Sequence, residues 1–327
     1  MSYEPEVLRR AYQRMKEGQR LRAEAFASKK AMIYHQLPRV QAIDRQLRQG
    51  VVQAATAALK QGVDPAPAIQ ALRAESKALQ AERKDLLTQA GYREEDLVEQ
   101  PQCQQCRDTG WCGSTMCVCL RALCAEEQVR SLSSLLDLQG QSFDAFRLDY
   151  YPDDPGPNGV SPRSHMKLVR DICQGYAARF ECSGVKNLFL SGSPGLGKTF
   201  LSACIARVVS ERGYSVVYDT AIHVFGRFEA EKFGREENGS TLRYLKCDLL
   251  ILDDLGSELT TPFIQSALYE LVNTRLITGK HTVISSNLSL RDIALRYSGQ
   301  VSSRIAGEYR LLEFWGEDIR KLKNSSF

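Results

Sequence analysis

The sequence predicts an α/β protein: a core built on a five-stranded parallel sheet, preceded by an α-helical hairpin and a small cysteine-rich module. Three observations carry that expectation. From about residue 165, short apolar runs alternate with helical sequence, the rhythm of a parallel sheet covered on both faces. Residues 1 to about 98 contain few glycines and many Ala, Gln, Arg, Lys, Glu and Leu, a helix-forming composition. Between these regions, residues 103–120 hold five of the ten cysteines.

At 327 residues, 43% hydrophobic and 25% charged, the chain is long enough for two domains and has an ordinary globular composition. A net charge of +4 is too small for a histone-like partner. Arg9, Arg10, Arg14, Lys16, Arg20, Arg22, Lys29 and Lys30 crowd the first helical stretch; a solvated helix face and a nucleic-acid footprint both fit them. The opening MSYEPEVLRR has no apolar signal core, and no run approaches the roughly 18 apolar residues of a membrane span. A cytoplasmic location with no membrane partner is therefore expected. In that reducing compartment, clustered cysteines are metal ligands or redox thiols more often than disulfides.

Taken in chain order, Leu37, Val40, Ile43, Leu47, Val51, Ala54 and Ala58 follow three- and four-residue steps, and Ile69, Leu72, Leu79 and Leu86 resume the pattern. Gly62, Pro65 and Pro67 mark a turn between them, so two long helices are expected to fold back as an antiparallel, coiled-coil-like hairpin. Ser76 and Arg83 on the second seam leave plain amphipathic packing open. Next, Cys103 and Cys106 form a C-x-x-C pair and Cys117 and Cys119 a C-x-C pair, with Gly110 and Gly113 allowing the loop between them to turn back. Four thiolates from two short clusters meet the tetrahedral demand of structural zinc. Cys112 is the substitute ligand and Cys124 a weaker one. An iron–sulfur cluster accepts the same four thiolates, whereas a redox dithiol lacks its usual place at the start of a helix after a strand. Cys173, Cys182, Cys204 and Cys247 are scattered and are expected as small core or surface residues.

A short helix, LRALCAEEQVRSLSSLLDL, follows the cysteines, and then an aromatic, extended segment, SFDAFRLDYYPDDPGPNGVSP, runs into a Pro/Gly linker. Five strands are expected at KNLFLSG, YSVVYDT, DLLILDD, HTVISSN and RLLEFWG.

GSPGLGKT fits Gly-x-x-x-x-Gly-Lys-Thr, with a strand before it and a helix after it. Glycines there let the backbone amides converge on phosphate oxygens at a helix N-terminus. Gly192, Ser193, Pro194, Gly195, Leu196, Gly197, Lys198, Thr199 and Phe200 are the candidate nucleotide-binding residues. Lys198 is placed for the β- and γ-phosphates and Thr199 for magnesium. The apolar run of LLILDD ends in Asp253, placed to hold magnesium through water, and Asp254, placed to orient or deprotonate the attacking water. Asn287, after another buried strand, reaches the same sheet edge as a water-positioning amide or serves only as a turn residue. Arg304 is the candidate finger toward a neighbouring subunit's nucleotide, with Arg291, Arg296 and Arg310 as rivals. With only four histidines, none beside a serine or cysteine motif, no His-dependent hydrolase is supported.

SGSPGLGKTFLSACIA, LLILDDLGSEL, VISSNLSL and SSRIAGEYR together resemble the AAA+ ATPases of the bacterial replicative-helicase loader family, the DnaC and DnaI type, over roughly residues 143–327. FDAFRLDYY, CRDTG and CVCL extend the resemblance to a branch found in phages and mobile elements. The resemblance implies an AAA+ P-loop core that binds ATP at Gly192–Thr199, with Asp253 and Asp254 as the acidic pair, Asn287 as the first sensor and Arg304 as the finger. It also implies self-association through that core, single-stranded DNA binding and a grip on a hexameric helicase by the N-terminal region. The chain ends just after the last strand, so no C-terminal lid is expected. HVFGRFEAEKFGREENG lies where the family contacts DNA; Phe225, Phe228, Phe233, Arg227, Lys232 and Arg235 suit stacking and phosphate contact, or the aromatics pack on the sheet.

The expected organisation is a helical partner-binding region at 1–100, a zinc module at 101–125, a linker at 126–164 and the AAA+ domain at 165–327. The expected function is an ATP-hydrolysing helicase loader, with ATP, Mg2+ and Zn2+ as cofactors. A transposition helper ATPase acting on duplex DNA and a nucleotide-switched adaptor that does not bind DNA are the alternatives.

Overall fold

The computed structural model describes all residues except 1–2, 60–65, 134–135, 137–139, 156–158, 183, 237–238 and 325–327, together with the side chains of 54–59, 68 and 323–324. It divides into two compact units, one formed by Met1–Tyr12 with Val118–Phe327 and the other by Gln13–Cys117. Among the described residues no helix is long and apolar enough to cross a membrane.

Helices α1 (Pro5–Gln36), α2 (Pro38–Leu59) and α3 (Ala66–Gln89) account for most of the first hundred residues. The two helices expected from the patterns Leu37–Ala58 and Ile69–Leu86 are α2 and α3, and α1 precedes them across a break at Leu37. A residue before proline is pushed out of the helical region and the proline ring cannot continue the ladder, so Pro38 starts a new helix. The hairpin is therefore α2 with α3. Arg39 near the start of α2 pairs with Glu82 near the end of α3 at 2.7 Å, and Arg83, out of place on an apolar seam, pairs with Asp44 at 2.7 Å. Ile33, Val40, Leu87 and Leu97 form a small core there. The seam fades along α2, where Val51 is 72% exposed. Gly62 and Pro65 of the expected turn lie outside the described residues, and Pro67 sits in the first turn of α3, where a proline is tolerated.

After the two-residue strands β1 (Trp111–Cys112) and β2 (Thr115–Met116), α4 (Val118–Ser133) and α5 (Pro162–Ala178) lead to the sheet. Its strands are β3 (Asn187–Ser191), β4 (Val216–Thr220), β5 (Leu249–Leu255), β6 (His281–Ser286) and β7 (Arg310–Glu313). All five expected strands are present, in the order β4-β5-β6-β3-β7, with every neighbouring pair parallel. The connecting helices are α6 (Lys198–Glu211), α7 (Ala221–Lys232), α8 (Leu242–Lys246), α9 (Pro262–Ile277), α10 (Leu290–Arg296) and α11 (Gly299–Glu308).

The apolar runs read as strands because both faces of the sheet are covered. Alternation sends Leu188 and Leu190 into the core beneath α5 and α6, and Phe189 into the core beneath α7, α9 and α11. The end of α9 is tied to the chain entering β5 and to β6 by Arg275, 1% exposed, whose guanidinium donates to the carbonyls of Tyr244 at 2.6 Å and Cys247 at 3.2 Å and to Thr282 Oγ1 at 3.0 Å.

One expectation about the flanks changes. The aromatic segment is not extended: turns at 143–145 and a 3-10 turn at Leu148–Tyr150 fold it back, burying Phe143, Phe146 and Tyr151. After β7 comes a short helix, α12 (Ile319–Asn324), far smaller than a lid domain but in contact with the glycine-rich loop.

Candidate nucleotide site and cysteine cluster

The loop Gly192–Gly197 joins β3 to α6, and its geometry explains its glycines. Gly197 has φ +90° at the N-cap of α6, where a Cβ would meet the Phe146 ring at 3.0 Å. Gly192 has φ +142°, and a Cβ there would lie 2.7 Å from the Phe314 carbonyl oxygen. Both demand a residue without a side chain. Lys198, 7% exposed, folds back over the loop and donates to the carbonyls of Gly192 at 2.6 Å and Ser193 at 2.8 Å, and to Asn287 Oδ1 at 2.7 Å. Burial pulls its ammonium down to about 8, against the opposing pull of Asp254 and Asp253.

A strand normally sends adjacent side chains to opposite faces, yet Asp253 and Asp254 both line the cavity over the loop. The reason is an irregularity in β5: Leu252 pairs with Ile284 and Leu255 with Ser286, so two aspartates oppose the single Ser285. Such a bulge re-aims side chains next to functional sites. Asp254 takes φ +56°, a conformation that Asp tolerates better than most residues, and its amide donates to Ser285 Oγ at 3.0 Å. Asp253, 5% exposed, accepts from Tyr218 at 2.7 Å, from Thr199 at 3.1 Å and from Ser285 Oγ. Asn287 donates to Asp254 Oδ1 at 3.0 Å. Lys198, Asn287 and Asp254 thus form one hydrogen-bonded chain, and Thr199 and Asp253 a second.

The cavity over this constellation measures about 680 Å3. Sequence reasoning missed part of its wall: Gln141, Phe146, Arg147, Tyr150 and Tyr151 from the aromatic segment, and Ile319 and Arg320 from α12. The Tyr151 hydroxyl donates to the Leu196 carbonyl at 2.8 Å, and Phe146 stacks on Tyr151 at 5.8 Å and leans on Phe200 at 5.6 Å. It also missed Tyr218, in the middle of β4, and Ser285, next to the last residue of β6.

Other candidates fall elsewhere. Arg304 is exposed on α11 and does not line the cavity of its own chain. Its rival Arg296 is engaged by Thr260 Oγ1 at 2.8 Å and the Glu258 carbonyl at 2.6 Å, while Arg291 and Arg310 are exposed. Phe225 is buried at 1% and Phe228 stacks on Tyr244 at 6.1 Å, so these two aromatics pack inward. Phe233 is 60% exposed, and Lys232 lies over the Phe263 ring at 4.6 Å.

Cys103, Cys106, Cys117 and Cys119 bring their sulfurs within 4.8 Å of one another. The sulfurs of Cys103 and Cys117 are 3.6 Å apart, close to the edge of about 3.8 Å of a tetrahedron with zinc–sulfur bonds of about 2.3 Å. The Gly110 amide donates to Cys106 Sγ at 3.3 Å, and the Asp108 carboxylate accepts from the Cys103 amide at 2.7 Å. Those bonds orient the first pair. The donor set therefore fits zinc. Cys112 is exposed and outside the group, and Cys124 is buried in α4 with its thiol pushed up to about 11 by burial.

A parallel sheet with a glycine-rich loop, a buried lysine and an acidic strand end defines a P-loop nucleotide-binding protein. Residues 177–300 match the family described as IstB-like ATP binding protein. The chain is homologous there to ATP-binding proteins of insertion sequences and to DnaC. It is 28% identical over 128 residues to a putative ATP-binding protein in an insertion sequence of Mycobacterium tuberculosis, covering 39% of this chain and 49% of that protein. With the replicative helicase loader DnaC of Buchnera aphidicola it shares 25% identity over 174 residues, 51% of this chain and 70% of that one. The chain thus spans about half the length of the insertion-sequence protein. The crystal structure of the DnaC helicase loader aligns over 55% of this chain and 99% of its own, with 21% identity and a TM-score of 0.45.

Proposed function

We propose that the chain is an ATPase whose nucleotide state switches its hold on a hexameric replicative helicase and on single-stranded DNA. The observation that carries the reading is the bulge in β5, which turns both aspartates into one cavity with Lys198, Thr199 and Asn287. Bound ATP draws Lys198 from the loop carbonyls to its β- and γ-phosphates. Thr199 and Asp253 hold magnesium, which shields phosphate charge when bound. Asp254 then accepts a proton from the attacking water, and the Asn287 amide fixes that water's place; the products are ADP and phosphate. Arg304, exposed on α11, serves a neighbouring copy's nucleotide. Residues 1–100 grip the helicase, and 101–125 form a structural zinc module between that arm and the ATPase.

The IstB-like match and the insertion-sequence relative favour a second reading, a transposition helper acting on duplex DNA. Fluorescence anisotropy of the full chain with labelled single-stranded and duplex DNA, with ATP and without, separates the two. The loader reading expects ATP-dependent single-strand binding that Lys198→Ala abolishes. Preferential ATP-dependent duplex binding would transfer the assignment to the helper, and binding to neither would leave the adaptor.

A further inference from the structure

Seven-residue steps put Arg22, Lys29 and Gln36 on one face of α1, and one later stretch of the chain meets all three. Gln36 Oε1 accepts from the Tyr92 hydroxyl at 2.6 Å, and Lys29 donates to Asp96 at 2.7 Å. Arg22 donates to Gln102 Oε1 at 2.6 Å and to Asp108 Oδ2 at 3.1 Å. Residues 92–108 thus run antiparallel along α1 as a polar zipper, and its two ends are anchored by different means. At the Gln36 end, Ile33, Leu87 and Leu97 are buried together. At the Arg22 end the anchor is Asp108. Its carboxylate also accepts from the amides of Gln102 at 3.1 Å and Cys103 at 2.7 Å, and its carbonyl accepts from the Gln19 side chain.

Asp108 reaches α1 only through the fold of the cysteine loop. Arg107 and Asp108 have φ of +50° and +64°, and they are two of the three non-glycine residues with positive φ among those described. Consecutive left-handed residues persist only where their surroundings over-determine them. Here the Arg107 amide donates to the Cys103 carbonyl at 2.8 Å and the Thr109 amide to the Cys106 carbonyl at 3.1 Å, so the first cysteine pair sets the turn. We infer that Asp108 makes the hold on α1 depend on the metal: with the four cysteines drawn onto one ion its carboxylate and carbonyl are fixed against Arg22 and Gln19, and without the ion the zipper opens from that end. This rests on the zinc reading and adds to it a positioning residue and the segment on which it acts.

The test is amide exchange along α1 in the full chain, with zinc measured by elemental analysis on the same samples. Cys106→Ser, which releases the metal, should speed exchange over residues 19–22 by about tenfold or more, while residues 33–36 keep the wild-type rate. The double variant Gln19→Ala, Arg22→Ala should retain its zinc and, alanine being the best helix former, its helix. Adding Cys106→Ser to it should then change exchange over 19–22 by less than about twofold. Equal exchange there in the wild type and Cys106→Ser overturns the inference while the zinc reading stands, and so does a full metal effect in the double variant. A rise that extends equally to residues 33–36 also overturns it, because the unit would then melt as a whole instead of opening at one end. Absence of zinc from the wild-type chain overturns the zinc reading itself, and the inference with it.

Discussion

The parallel sheet and the helices of residues 13–117 are held together by different means. In β5 every residue but Asp254 is buried, and the polar groups at the strand ends satisfy one another in two short chains centred on Asp253 and Asn287. Across 13–117 the buried apolar residues, among those described, are Ile33, Val40, Ile43, Leu87 and Leu97, besides Cys106 and Cys117. The remaining ties there include ion pairs such as Arg39–Glu82, with side chains 52% and 40% exposed, and Lys29–Asp96, at 47% and 26%. Exposed pairs of that kind are screened by water and add little to stability. The sheet can thus stand on burial alone, whereas the second unit has too small a core to do so and depends on an added constraint. The cysteine cluster is that constraint in the proposed reading.

The largest effect expected from this contrast is on metal. The purified chain should hold one zinc by elemental analysis, and Cys106→Ser should release it. Structural zinc in small modules contributes about 10–16 kcal/mol of apparent folding free energy at neutral pH, so amide exchange across residues 103–117 should become fast. ATP affinity should stay within about twofold of wild type, since the sheet's burial does not depend on the cysteines. Parallel loss of both would show that the two regions are not energetically separate. Lys198→Ala reverses the pattern: ATP affinity and turnover fall by about 100-fold or more, and the zinc content is unchanged.

Tyr218→Phe is a smaller perturbation within the site. It removes one of the donors that fix Asp253, a loss of about 0.5–1.5 kcal/mol. Turnover should drop by up to about tenfold at saturating ATP, with metal-free ATP binding unchanged. A change in metal-free binding instead would mean that Tyr218 supports the loop rather than the acidic residue.

The smallest effect concerns pH. Burial, with Lys186 and Arg275 adding repulsion, pulls His281 down to about 4, against an opposing pull from Asp248, and its ring packs on Phe180 at 4.0 Å. A base whose folded value is depressed stays neutral in the native state while the unfolded chain takes up the proton. Stability is therefore lost as pH falls from about 6.5 toward 4 and is fully present above that window. Urea midpoints measured between pH 7 and 4 should show this slope, and His281→Gln should flatten it.

The sequence was most informative where a single segment carries its own constraint. The five strands, the loop Gly192–Thr199 and the strand-end aspartates were legible because burial on both faces and phosphate chemistry act on adjacent residues. The four cysteines were legible for the same reason. What escaped was assembled from distant segments. The bulge that turns Asp254 depends on the pairing of β5 with β6. The aromatic segment around Phe146 closes on the loop only through tertiary contacts. Nothing local marks Arg275 as the buried tie between α9 and the chain entering β5. The break at Pro38 was readable, since the apolar periodicity begins at Leu37, beside it.

The most direct test of the central claim is capture of a purified hexameric replicative helicase from the same cell by the full chain, with ATP and with ADP, alongside Lys198→Ala. The account predicts capture whose strength changes with the nucleotide and a variant that no longer responds to it. Equal capture in both nucleotide states would contradict the switch, and no capture in either would contradict the helicase as partner.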